Sequence, residues 1–245
     1  MNHSIGILCS ALLVCTPALG APAAEADAKC EARNLDFADK SAGWSHLPLS
    51  KLKRDTVYRQ AQEGGRTVLI ATADRSASLY VARFKQPATV PARLSWRWRT
   101  GALVPGADNR DKKREDAPLR VIVAFDGDRS TLPEVEQKRF RQAKALSGRE
   151  SPYATLMYIW SDHVPPETVI PSAHTGQLKM LVVASGAGGL GSWQSVSRNL
   201  AADFRRAYGA EPGRLLGVAV MTDTDNTGAK VVGEYADLRL ACTSD

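Results

Sequence analysis

Period-two alternation recurs along most of this chain, and it is plainest in RLSWRWRT at 93–100. In an extended segment successive side chains point to opposite faces, so Leu94, Trp96 and Trp98 share one side while Arg97 and Arg99 share the other. Short runs rich in Val, Ile, Tyr, Trp and Thr, bounded by Gly, Pro, Asn and Asp, predict further strands. They fall at 33–38, 55–61, 66–73, 77–84, 92–99, 118–126, 153–160, 178–185, 192–197, 214–221 and 231–241. EGG at 63–65 predicts a hairpin between the second and third. Two segments read as helices instead. In one, Thr131 and Glu134 have capping-box spacing and Leu132, Val135, Phe140, Ala143 and Leu146 follow in a roughly helical pattern. In the other, Asn199 is the expected cap, Leu200, Phe204 and Tyr208 share a face, and Gly209 is the stop. So few helices cannot cover both faces of a parallel sheet. The expectation is a mainly β chain: a jelly-roll-like antiparallel β-sandwich with one or two short peripheral helices.

Residues 1–24 read as a secretory signal, with an apolar run from Ile5 to Val14, then Pro17 and small residues, although the usual basic start is missing. The run is too short to span a bilayer. Residues 25–245, with no fixed-period repeat and no biased linker, suit one β-sandwich domain in the periplasm or outside the cell. Removing the signal takes away Cys9 and Cys15, and in an oxidising compartment the remaining pair, Cys30 and Cys242, is expected to form a disulfide that lays the first and last strands side by side. The formal net charge of +6 comes from interspersed charges, whose only dense run, DKKRED at 111–116, reads as a solvated loop. No nucleic-acid motif accompanies it.

Three groups of residues invite a functional reading. Trp96 and Trp98, with Tyr158 and Trp160 in TLMYIW, either fill a core or, on an open sheet, stack on sugar rings. Trp193 follows SGAGGLG, which has neither a P-loop ending nor a dinucleotide setting and reads as a flexible edge loop; were that loop to border a groove, Trp193 would help close it. MTDTDNTGAK at 221–230 brings together Asp223, Asp225 and Asn226, oxygen ligands suited to calcium, but in a setting unlike an EF-hand, so an ordinary polar turn is the first reading and a structural cation or a ligand-contacting loop the alternatives. Carboxylates at Asp116, Asp203, Asp223, Asp225, Glu234 and Asp237 are candidates for acid and base work on a glycosidic bond, with no separation readable from the chain. His46, His163 and His174 lack metal spacing, and no G-x-S-x-G elbow occurs.

Taken in order, WRWRT, GADNRDKKREDAPLRVIVAF, LMYIW, SWQSVSRNLAADFRRAYG, VAVMTDTDNTG and GEYADLRL resemble a family of exported bacterial proteins known only as a domain of unknown function. The resemblance runs from Phe37 to Leu240 and implies a β-rich fold with no assigned activity and no catalytic residues to carry over. The polar positions it picks out are Lys113, Asp116, Arg120, Arg198, Asn199, Asp203, Asp223, Asp225, Asn226 and Thr227.

The resulting expectation is an exported, non-catalytic binding protein for a saccharide or other cell-envelope ligand. Trp96, Trp98, Tyr158, Trp160, Trp193 and Arg198 would form its surface, and Asp223, Asp225 and Asn226 would hold a calcium ion or shape the rim. The alternative is a jelly-roll envelope glycan hydrolase or lyase using paired carboxylates.

Overall fold

The structure is a computed structural model that describes residues 30–242 apart from 92 and 174, and leaves out the side chains of 146 and 147. The signal segment and His174 therefore lie outside the described residues. Among the described residues, thirteen strands form in chain order. The first six are β1 (Arg33–Asn34), β2 (Trp44–Pro48), β3 (Val57–Glu63), β4 (Arg66–Asp74), β5 (Ser78–Ala88) and β6 (Arg93–Thr100). The rest are β7 (Arg120–Phe125), β8 (Ala154–Ser161), β9 (Val169–Pro171), β10 (Leu178–Ser185), β11 (Gln194–Arg198), β12 (Leu215–Met221) and β13 (Lys230–Ala241). Helix α1 is Glu134–Ser147 and α2 is Leu200–Tyr208.

The strands sort into two sheets. One, in the order β11-β6-β13-β4-β3, has β1 paired to the end of β13, and the other runs β2-β5-β12-β7-β8-β10-β9. Every pairing is antiparallel except β8 with β10, a departure from the wholly antiparallel expectation. The first β3–β4 pair is Glu63 with Arg66, which leaves Gly64 and Gly65 as a two-residue turn. Both have positive φ, 57° and 77°, as a tight hairpin of right-handed twist requires.

Alternation builds the core. Leu94, Trp96 and Trp98 from β6 and Tyr235, Leu238 and Leu240 from β13 meet Val121, Val123 and Phe125 from β7 and Leu156, Tyr158 and Trp160 from β8 in one cluster between the sheets. Helix α2 joins that cluster through Leu200 and Phe204, whose ring lies 4.8 Å from Phe125. Asn199 caps this helix as expected, its Oδ1 accepting from Ala202 N at 2.9 Å. The capping box expected at the start of α1 does not form. The Thr131 hydroxyl donates to the Asp128 carbonyl within a separate 3-10 turn at 129–131, and Pro133 occupies the cap without a side-chain bond.

Cys30 and Cys242 are joined, their Cα atoms 5.7 Å apart across 212 residues. Arg33 pairs with Leu240 just inside the bridge, so the ends of the fold are held by both sulfur and sheet. No helix among the described residues is long and apolar enough to cross a membrane.

Candidate functional site

The sequence motifs lead to three places, and two of them are closed. Trp96, Trp98, Tyr158 and Trp160 have relative exposures of 1%, 0%, 0% and 2%. They pack on one another across the sandwich, Trp96 with Tyr158 at 5.2 Å and Trp98 with Trp160 at 6.3 Å. The expected stacking surface from these four is therefore corrected: alternation aims them inward, where burying large aromatic area outweighs two indole N–H groups, of Trp96 and Trp98, left without acceptors. Arg198 is likewise occupied. Its guanidinium donates to both oxygens of Asp203, at 2.9 and 2.7 Å, and to both oxygens of Glu167, at 2.7 and 3.1 Å. Asp203 also accepts from the Tyr158 hydroxyl at 2.9 Å, so this network anchors α2 and leaves Arg198 little to offer a ligand.

The 223–227 turn closes one end of the sandwich. One oxygen from each of Asp116, Asp223 and Asp225 lies within 4.8 Å of the others. Protein donors already engage all three carboxylates. Arg120, 3% exposed, meets Asp223 through Nε at 2.7 Å and a terminal nitrogen at 3.0 Å, and Ala117 N donates to the same carboxylate. Asp116 accepts from the backbone of Asn226 and Thr227 and from the Thr227 hydroxyl, while Lys53 pairs with Asp225. The exposed Asn226 thus enters through its backbone N–H. A calcium ion needs six to eight oxygens and would have to take these carboxylates from Arg120, Lys53 and the turn itself. Burial pushes the Asp223 carboxyl up to about 6 against the pull of Arg120. The Tyr235 hydroxyl, accepting from Arg120 N and donating to the Met221 carbonyl, ties the pair to the neighbouring strands.

The third place is open. On the outer face of the six-stranded sheet, register sets polar side chains in rows across β11, β6 and β13. Ser197 lies opposite Ser95, which lies opposite Arg239. One step along, Ser195 lies opposite Arg97, which pairs with Ala236. Register shifts between Ala236 and Arg239, and Asp237 takes φ 56° there, a left-handed conformation uncommon outside glycine. This bulge keeps Leu238 and Leu240 in the core while turning Asp237 outward. Its Oδ2 lies 3.3 Å from Arg97 and 3.7 Å from Arg66. These residues line a groove of about 430 Å³.

A smaller hollow of about 180 Å³ adjoins it, lined by Glu63, Arg66, Arg97 and Trp193 over Val68 and Ala236. Half-buried Trp193 is the one expected aromatic on this face. Arg97 and Arg99 stack on its ring at 5.0 and 4.6 Å, and its N–H donates to Glu63 at 3.1 Å. Arg99 is held by Glu234 and, through two bonds, by Glu63, whose carboxyl is pulled below its usual range first by Arg99 and then by Trp193. Arg239 forms no ion pair among the described residues, and the hydroxyls of Ser95 and Ser195 have no hydrogen-bond partner there. The sequence reading missed Arg66, Ser95, Ser195, Ser197 and Arg239 as site residues. Alternation in RLSWRWRT and in WQSVSR would have placed the three serines on the polar face.

Against known proteins, residues 42–239 match a family described as protein of unknown function, DUF3047. The chain belongs to the DUF3047 family. No curated protein matches this DUF3047 chain. Among solved structures it is similar to the xyloglucanase domain of NopAA, a type three effector from Sinorhizobium fredii, in complex with cellobiose, at 8% identity and a TM-score of 0.40, covering 82% of this chain and 94% of that one. It is also similar to the family 11 xylanase from Neocallimastix patriciarum, at 9% identity and a TM-score of 0.31, covering 82% of this chain and 100% of that one. Likenesses this distant bring no activity with them.

Proposed function

We propose that this chain is an exported, non-catalytic binding protein for a cell-envelope saccharide, held along the outer face of the six-stranded sheet. The observation that carries the reading is the groove across β11, β6 and β13, where Ser95, Ser195, Arg97, Arg239 and Asp237 face outward together. A sugar presents many hydroxyls, each both donor and acceptor, and this surface offers both complements: guanidinium N–H groups, a carboxylate and hydroxyls without protein partners. The groove volume is within the usual range for small-ligand sites. Trp193 supports the site by carrying the faces of two arginines. The terminal disulfide supports export, since such bonds persist in oxidising compartments.

The hydrolase alternative has less to stand on. Asp116, Asp203 and Asp223 are 1%, 5% and 3% exposed and engaged by protein donors, and Asp225 is tied to Lys53. Calorimetric titration with envelope oligosaccharides, alongside assay of reducing-end release, separates the two. The binding reading expects saturable heat without turnover and loss of that heat in Arg97→Gln. Product release that disappears in Asp223→Ala, with the fold intact, would favour the hydrolase.

A further inference from the structure

The charge on the groove is unbalanced. Arg66, Arg97 and Arg239 face it against Asp237 alone, while the neighbouring Arg99 is neutralised by Glu63 and Glu234. Nor is Asp237 a strong partner for either arginine beside it. It receives one N–H from Arg97 at 3.3 Å, and Arg66 at 3.7 Å is beyond hydrogen-bonding distance. A guanidinium has five N–H donors in a planar fork matched to a carboxylate, so most of this capacity is unspent. Arg97 is also set in place beforehand, its face against Trp193 and its side chain 25% exposed, which reduces the ordering that a bidentate contact requires.

Arg66 and Arg97 approach the same oxygen, Oδ2 of Asp237, so the bulge carboxylate marks a point where an incoming carboxylate would meet both arginines. Arg239 belongs to the row two residues away along β6, roughly 7 Å along the strand, and is free to meet a second acid group. We propose that the saccharide received by this groove is acidic, with one carboxylate taken by Arg97 and Arg66 and another by Arg239. This inference rests on the saccharide reading and narrows it to chains of uronic acid type.

The experiment uses trimers of galacturonate, glucuronate and mannuronate, each as the free acid and as the methyl ester, titrated into the full mature chain at low and at high salt. Esterification removes the charge and leaves the ring hydroxyls in place. At least one free acid is expected to bind about tenfold or more tightly than its ester, because hydrogen bonds to a charged acceptor are the stronger ones, and to weaken as salt rises. In Asp237→Asn that acid is expected to bind more tightly, since the competing carboxylate is gone while asparagine tolerates the same left-handed backbone. Equal binding of acids and esters, or loss of acid binding in a folded Asp237→Asn, would overturn the acidic assignment and leave the saccharide reading standing. No binding by any trimer in either form would overturn the acidic assignment, and neutral envelope oligosaccharides that also give no heat would overturn the saccharide reading as well.

Discussion

Two regions of this molecule are built from the same residue types and do opposite things with them. At the end of the sandwich, Arg120, Asp116 and Asp223 are almost fully buried, and short bonds within the protein engage their charged atoms. On the outer face of the six-stranded sheet, Arg97, Arg66 and Asp237 are partly exposed and loosely paired, with unpaired hydroxyls beside them. The difference teaches that a dense polar motif such as TDTDNT can be a fastening, while a functional surface can arise from arginines and serines scattered over three strands and assembled by register.

The comparison breaks most visibly if the buried pair is cut. Asp223→Ala removes both acceptors of the buried Arg120 guanidinium and is expected to lower stability by about 3–5 kcal/mol, read from denaturant unfolding. Replacing Cys30 and Cys242 together by serine is expected to cost about 2–5 kcal/mol in the same measurement, because the bridge closes almost the whole chain. A smaller effect concerns pH. The folded-state carboxyl of Asp223 is raised to about 6, so between that value and its ordinary range the folded chain holds the proton more tightly than the unfolded chain does. This group therefore adds stability as pH falls from 7 toward 5, and the gap in Tm between the wild type and Asp223→Ala should widen over that window. At lower pH the opposite sign takes over, as Glu136 and Glu167, held below their usual range in the fold, are protonated. An unchanged or narrowing gap would mean that burial does not govern Asp223. Smallest of all, Arg97→Gln is expected to change stability by under about 1 kcal/mol, as the loss of one weak, partly exposed ion pair should.

Much of the fold was legible because alternation writes it into the chain. The expected strand at 178–185 coincides with β10, and those at 66–73 and 92–99 differ from β4 and β6 by a residue at one or both ends. β2 and β9 went unseen because they are short outer strands of their sheet, WSHLP and VIP, too brief or too polar to show a period. The parallel pairing of β8 with β10 was also invisible, since parity fixes which face a residue takes and leaves the choice of neighbour open. The site was less legible for a related reason. RLSWRWRT reveals two faces but does not say which is covered, and here the tryptophan face is covered and the arginine face is open. The Asp237 bulge interrupts the parity of β13, so even a correct strand assignment would turn Asp237 inward.

The separation of fastening from binding surface is tested most directly by titrating the tightest-binding uronate trimer into wild type and Arg97→Gln while recording Tm for both. The expected result is an affinity about tenfold or more weaker in the variant with Tm nearly unchanged. Full affinity in a folded Arg97→Gln would contradict it.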